Sequence, residues 1–230
     1  MENKKNKPIL YPSNLSRGLE RSVENIRNEF RDGFKFVFGI KKAVAVFGSG
    51  RSAKDNPHYQ RAALLTNLLA KEGFNIVTGG GPGIMEAANK GAAEANGLSI
   101  GLNILLPMGQ DYNTYVNKGM RFNYFFSRKV MFAAACRYYV FFPGGFGTLD
   151  EFFEIINIIH NRKINNPPLL ILVGRDYWQG LLEWLKTTVY KKHKAIDFKD
   201  FELINLVNSP QEAFEIIKKY HEDHSRNFNQ

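Results

Sequence analysis

From Lys41 onward the chain repeats one unit: a run of strand formers, a glycine turn and an amphipathic helix. "KAVAVFGSG" leads to the helix "PHYQRAALLTNLLAKEG", opening at Pro57 and closing at Gly73, and "FNIVTGGGPG" leads to the helix "IMEAANKGAAEAN" and the strand "LSIGLNI". An irregular stretch from Leu105 to Asn123, longer than an ordinary connection, is a candidate pocket wall or lid. The alternation then resumes. "YFFSRKVMFAAAC" reads as a short strand and a helix, "YYVFFPGG" as a strand, "TLDEFFEIINIIHN" as a helix, "PPLLILVG" as a strand and "YWQGLLEWLKTTVY" as a helix. The last unit is "FELINLVN" and a helix whose start is marked by Ser209, Pro210 and Glu212. Strands joined through helices run parallel, and a parallel sheet has to be covered on both faces. The expected fold is therefore α/β: a doubly wound parallel sheet with helices on both faces, residues 39–230 forming a single domain. Residues 1–38 lack this rhythm. There Leu19, Val23, Ile26 and Phe30 recur at helical spacing, which predicts an N-terminal amphipathic helical extension.

A chain of 230 residues, 44% of them hydrophobic, can bury the core such a sheet needs. Its single cysteine, Cys136, excludes an intramolecular disulfide and a cysteine-based zinc site, and its five histidines have no metal-binding spacing. "MENKKNKPIL" is too polar for a signal core and no long apolar run follows, so the expected location is the cytoplasm, away from membranes. The net charge of +9 is spread over many separate Lys and Arg and partly gathered in the tails. With neither a basic stripe nor a recognisable nucleic-acid module, it favours a small anionic ligand over nucleic acid.

In a doubly wound sheet ligands bind at the carboxyl ends of the strands, where the glycine turns fall. The first, "GSGRSA" at 48–53, fits a dinucleotide pattern. Two features disfavour NAD: the next helix starts only near Pro57, and the second strand ends in "IVTGGG" without the acidic residue that holds a ribose hydroxyl. Ser49 and Arg51 are candidates to line the cleft. The second turn, Gly79, Gly80, Gly81 and Gly83 before a helix, has more glycine than turning requires, which favours close approach of a ligand over a tight turn alone. Glu86, one turn into that helix, either reaches a ribose or base or sits on a solvated face. The third turn, "PGGFGTLDE", has Gly144, Gly145, Gly147 and Thr148 placed to form an anion nest at a helix start, suited to a phosphate monoester. Thr148 to Glu151 also has the spacing of a capping box, in which Glu151 only returns to its own helix.

"PGGFGTLDE" resembles the PGGxGTxxE signature of the Lonely Guy family of nucleoside 5′-monophosphate phosphoribohydrolases. "GGGPGIMEAANKGA" is similar to the glycine turn and helix of its bacterial members, and "SRKVMF" to the Arg-Lys element that precedes the signature. The resemblance spans roughly residues 41–215. It implies a Rossmann-like fold and hydrolysis of the N-glycosidic bond of a purine nucleoside 5′-monophosphate, a cytokinin ribotide or AMP, to free base and ribose 5-phosphate. It further implies that Gly144, Gly145, Gly147 and Thr148 hold the phosphate, that Arg128 and Glu151 are the catalytic pair, that no cofactor is required, and that the protein is a homodimer or higher homo-oligomer. From the turns and helices themselves, Gly80, Gly81, Gly83, Glu86, Ser49 and Lys129 are further candidate substrate contacts. The chain departs from shorter members in its extension and in Phe125-Phe126-Ser127 before Arg128.

Read from spacing alone, Arg128 is as well explained by surface charge or a pair with Asp150. A different class of function, a nucleotide-binding sensor or carrier without turnover, needs the same fold and nests. Some members of the family carry an old lysine-decarboxylase label, for which Lys90 and Lys129 are the available Schiff-base candidates; each is more simply a helix-surface or anion-binding cation.

Overall fold

The computed structural model describes residues 17–106, 111–161 and 168–224. The polar start "MENKKNKPIL" and residues 107–110 of the irregular stretch lie outside them. The elements run α1 (Arg17–Val37), β1 (Ala43–Phe47), α2 (Pro57–Lys71), β2 (Asn75–Thr78), α3 (Ile84–Glu94), β3 (Ser99–Ile104), β4 (Lys118–Phe122), α4 (Phe125–Ala135), β5 (Tyr138–Phe141), α5 (Phe146–His160), β6 (Leu169–Val173), α6 (Arg175–Trp184), β7 (Ile204–Val207) and α7 (Pro210–His224). The strands form one sheet in the order β4-β3-β2-β1-β5-β6-β7, every neighbouring pair parallel. This is the expected Rossmann-like α/β fold.

Side chains of successive strand residues leave the sheet on opposite faces, so β1 feeds two cores at once. Val44 and Val46 join Ile76, Val140 and Ile171 under α2, α3 and α7. Ala45 and Phe47 join Val77, Ile100, Phe141 and Phe152 on the face that includes Val37, Met131 and Trp178 from α1, α4 and α6. All five residues of β1 are buried, which is why the strand reads as a continuous apolar run. Each buried large side chain contributes about 1.5–3 kcal/mol.

Three local readings change. The short strand expected at the start of "YFFSRKVMFAAAC" is instead β4, "KGMRF", inside the stretch read as irregular, and Phe125 is already helical. As an edge strand β4 buries only Phe122, so it lacks the apolar run that marks the inner strands. The helix expected over "YWQGLLEWLKTTVY" ends as an α-helix at Trp184 and passes into a π-helical segment, Leu185–Lys192. There the Thr187 hydroxyl donates back to the Glu183 carbonyl at 2.8 Å, competing for that acceptor. The extension forms α1, packed along α4: Phe30 and Phe126 stack at 6.2 Å and Val37 is buried. Of its predicted apolar stripe Leu19 and Val23 stay exposed, and the buried Glu29 contributes to the packing instead.

Candidate functional site

The strand order reverses at β1, which lies between β2 and β5, and a crevice opens beyond the carboxyl ends of the strands at such a point. A cavity of about 910 Å³ occupies it, lined by residues of all three glycine turns together with Arg128, Phe132 and Glu151.

Backbone bonds through Ser49 tie the turns together. Its N–H donates to the Pro143 carbonyl at 2.9 Å, and its carbonyl accepts from the Ile84 N–H at 3.0 Å. The approach is close enough that a Cβ on Gly48 would lie 2.7 Å from Ile84, and one on Gly83, whose φ is +69°, would run into the Ser49 carbonyl. Gly144 is fixed in the same way: a Cβ there would collide with the Thr148 side chain and lie 3.0 Å from the Ser49 nitrogen, and its carbonyl accepts from the Tyr177 hydroxyl at 2.6 Å. Gly145 and Gly147 differ. Neither has a positive φ, and a Cβ on either would meet nothing within 4 Å. The fold itself has no need of glycine at these two positions, which border the cavity.

Helix α5 begins at Phe146, with Gly145 as its cap, two residues earlier than the sequence suggests. Thr148 is therefore inside the first turn and cannot form a capping box with Glu151. The amides of Phe146 and Gly147 are first-turn donors, which have no acceptor within the helix. Both residues line the cavity, at the positive end of the helix dipole. Glu151, one turn further, is buried and turned toward α4, where its Oε1 lies 3.2 Å from Arg128 Nη2.

Arg128 occupies the first turn of α4, and its Nη1 lies 3.6 Å from where a Cβ on Gly79 would stand. Its guanidinium packs against the rings of Phe125 and Phe132, at 5.5 and 5.9 Å. Nε is buried and has no hydrogen-bond partner among the described residues, so the group still has a donor to offer. Burial lowers the Arg128 pKa, with Glu151 opposing the shift; burial likewise pushes Glu151 up to about 7 although Arg128 and Lys129 pull it down. Both shifts have one cause: each charged form loses more hydration than its partner restores.

Lys129 turns the other way and binds Asp150 at 2.9 Å and Glu154. Asp150 therefore belongs to Lys129, and the pairing of Arg128 with Asp150 that spacing allowed does not occur. Burial lowers the Lys129 pKa, but the two carboxylates more than offset this and leave it raised. Lys129 does not line the cavity, and neither does Glu86, which binds Lys54 at 3.2 Å and the Tyr59 hydroxyl at 3.3 Å.

Gly80, Gly81 and Gly83 are buried and also lie outside the lining. Gly80 has an internal reason to be glycine. Tyr112 lies over Gly80, Gly101 and Gly119, and a Cβ on any of them would stand 2.7–3.0 Å from its ring. Asn113 then fastens the loop, its N–H donating to the Gly80 carbonyl at 2.8 Å and its side chain to Gly81 at 2.9 Å and Asn89 at 3.0 Å. Among the expected contacts the cavity brings together Ser49, Gly144, Gly145, Gly147, Thr148, Arg128 and Glu151. Sequence reading missed Asn56 and His58 at the start of α2, Met85 and the exposed Phe146, all of which line it. The cap at Asn56, whose side chain accepts from the His58 N–H at 2.8 Å, was the available signal for the first two. Among the described residues no three side chains able to hold a metal ion come together, and no helix is long and apolar enough to cross a membrane.

A protein of Rhodococcoides fascians named cytokinin riboside 5′-monophosphate phosphoribohydrolase is 24% identical over 185 residues, which span 74% of this chain and 90% of that protein. The pyrimidine/purine nucleotide 5′-monophosphate nucleosidase of Escherichia coli K12 is 30% identical over 159 residues, 64% of this chain but only 35% of that longer protein. Among solved structures, the molybdenum cofactor carrier protein of Chlamydomonas reinhardtii superposes with a TM-score of 0.58 at 20% identity, covering 78% of this chain and 97% of that one. The molybdenum cofactor binding protein of Rippkaea orientalis gives 0.55 at 23%, covering 77% and 94%. At these identities the structural likeness establishes the fold alone. The family described as "Possible lysine decarboxylase" matches residues 85–217, more than half of the chain and inclusive of Arg128 and "PGGFGTLDE". The chain therefore belongs to that family, which is also the family of the Lonely Guy phosphoribohydrolases.

Proposed function

We propose that this protein hydrolyses the N-glycosidic bond of a purine nucleoside 5′-monophosphate, AMP or a cytokinin ribotide, to free base and ribose 5-phosphate. The observation that carries the reading is one cavity bordered by a buried arginine–carboxylate pair and by Gly145 and Gly147, two glycines without an internal reason. The names of the R. fascians and E. coli relatives agree with it.

The 5′-phosphate sits against the amides of Phe146 and Gly147, within reach of Arg51, and fixes the ribose by orientation. As the C1′–N bond breaks, the sugar takes on oxocarbenium character and the purine takes the bonding electrons. Ionised Glu151 stabilises the cationic sugar or orients the water that adds hydroxide to C1′; the water's remaining proton ends on the base. Arg128 keeps Glu151 in place and donates hydrogen bonds without giving up its proton. The proposed enzyme is cytoplasmic, works as a homodimer or higher homo-oligomer and needs no cofactor.

A carrier or sensor without turnover is the second reading. It is favoured by one observation: the Glu151 carboxylate is held by Arg128 rather than standing free. Decarboxylation through a pyridoxal Schiff base has less support, because it needs a lysine that readily loses its proton. Lys129 has a raised pKa and two carboxylate partners, and Lys90 pairs with Glu94 at 3.7 Å on α3.

A base-release assay over adenine, guanine, pyrimidine and N6-substituted monophosphates tests the proposal. Free base and ribose 5-phosphate are expected from at least one purine monophosphate. Binding of these nucleotides with no base released would leave the carrier reading in its place.

A further inference from the structure

Glu29 is a buried carboxylate on α1, far in sequence from the proposed reacting pair. Its Oε2 accepts from the N–H and the side-chain amide of Asn123 at 2.7 and 2.9 Å, and its Oε1 from the Tyr124 N–H at 3.2 Å and from the Ser127 hydroxyl. Those three residues are the start of α4. Tyr124 is its cap residue and supplies no side-chain cap of its own, and Ser127 immediately precedes Arg128. Helix starts leave amides unpaired and carry partial positive charge, and here another helix provides the carboxylate that meets both needs. The first helical bond of Arg128, from its N–H to the Tyr124 carbonyl at 3.3 Å, begins at the same capped residue.

We propose that Glu29 is a positioning residue for Arg128: by capping α4 from outside, it sets where the helix begins and so holds the guanidinium against Glu151. This rests on the reading of Arg128 and Glu151 as the reacting pair. Phe30 against Phe126, and Gly33 packed where a Cβ would come 2.7 Å from Met131, keep α1 on α4, and the polar donors at the helix start are left to Glu29. Without the carboxylate, the donors of Asn123, Tyr124 and Ser127 lose their common acceptor and the turn carrying Arg128 is free to shift.

The test compares Glu29→Ala and Glu29→Gln with wild type in the full chain. A roughly tenfold to hundredfold fall in kcat is expected, with KM for the nucleotide changed less than about threefold, because the phosphate nest lies on α5. A second readout needs no turnover: the Glu151 titration followed by carboxyl ¹³C NMR and assigned by its loss in Glu151→Gln. Arg128 and Lys129, both on α4, pull this group down, while Asp150 and Glu154 on its own helix push it up. Burial, the largest influence, also pushes it up; loosening α4 alters that burial and the pull of Arg128 together, so the midpoint should move from its wild-type value by about half a unit or more. Asp32→Ala, an exposed change on α1, should leave both readouts unmoved. Should Glu29→Ala not fold, Ser127→Ala removes one donor with the carboxylate left in place and should show the same shift in smaller measure. Folded variants with wild-type kcat and an unmoved Glu151 midpoint would overturn the proposal. If wild type itself releases no base, the enzymatic reading fails, and the NMR midpoint still decides whether Glu29 positions Arg128.

Discussion

Arg128 Nη2 stands 3.2 Å from Glu151 Oε1, joining the first turn of α4 to the second turn of α5 at the cavity lining, with side chains only 15% and 5% exposed. Neither group is well hydrated, so each depends on the other and on whatever enters the cavity. Removing the charge of Glu151 while keeping its shape should abolish the proposed chemistry and spare anchoring. Glu151→Gln is expected to reduce base release by roughly a thousandfold or more, with the Kd for ribose 5-phosphate changed less than about fivefold. Steady-state assays paired with calorimetry read both.

If ionised Glu151 is the active form, activity should rise with pH through the value to which burial has pushed this carboxyl, about 7. Near pH 6 about a tenth of the groups are ionised and near pH 8 about nine tenths. A kcat–pH profile should show an acidic limb centred near 7. A limb near the ordinary carboxylate value would exclude Glu151 as the group that must ionise.

The same shift has a consequence for stability. A carboxyl whose folded-state pKa lies above its ordinary 4.5 stabilises the fold in its protonated form, fully below that value, and loses the contribution as pH rises through about 7. His58 and His221, both lowered by burial, push the other way in overlapping windows. The difference between wild type and Glu151→Gln isolates the carboxyl. Relative to the variant, wild type should lose on the order of 1–3 kcal/mol between pH 5 and pH 8, measured by urea unfolding.

Gly144 and Gly147 separate fold from ligand. Gly144→Ala drives a methyl into Thr148 and the Ser49 amide, and should destabilise by about 1–3 kcal/mol. Gly147→Ala points into open space, so its melting temperature should barely change. If a phosphate approaches the helix start, the same methyl should weaken ribose 5-phosphate binding by roughly tenfold or more. Unchanged affinity in Gly147→Ala would remove the nest from the site.

Tyr112 tests the structural account of the second glycine turn. Tyr112→Ala uncovers Gly80, Gly101 and Gly119 and should cost about 2–4 kcal/mol, with nucleotide affinity changed little because the ring lies outside the cavity lining. Thermal melts beside binding isotherms distinguish this from a direct ligand contact.

The amino-acid sequence by itself determined the parallel α/β sheet and its helices. Runs such as "KAVAVF" and "YYVFF" are apolar on both faces, and such strands can only be buried between two layers. The third turn was legible for the same local reason, since closely spaced glycines before a helix have few uses. Partnership was not legible. Spacing allowed Glu151 to cap its own helix and Arg128 to pair with Asp150; only the packing of α4 against α5 assigned Glu151 to Arg128 and Asp150 to Lys129. Likewise the glycines of "TGGG" look alike in the sequence, but only the fold sets Gly79 on the cavity and packs Gly80 under Tyr112, from a loop more than thirty residues away. Strand and helix patterns follow from each residue's neighbours in the chain. A carboxylate's partner and a glycine's purpose depend on groups brought together from distant segments, and those distances exist only in the folded molecule.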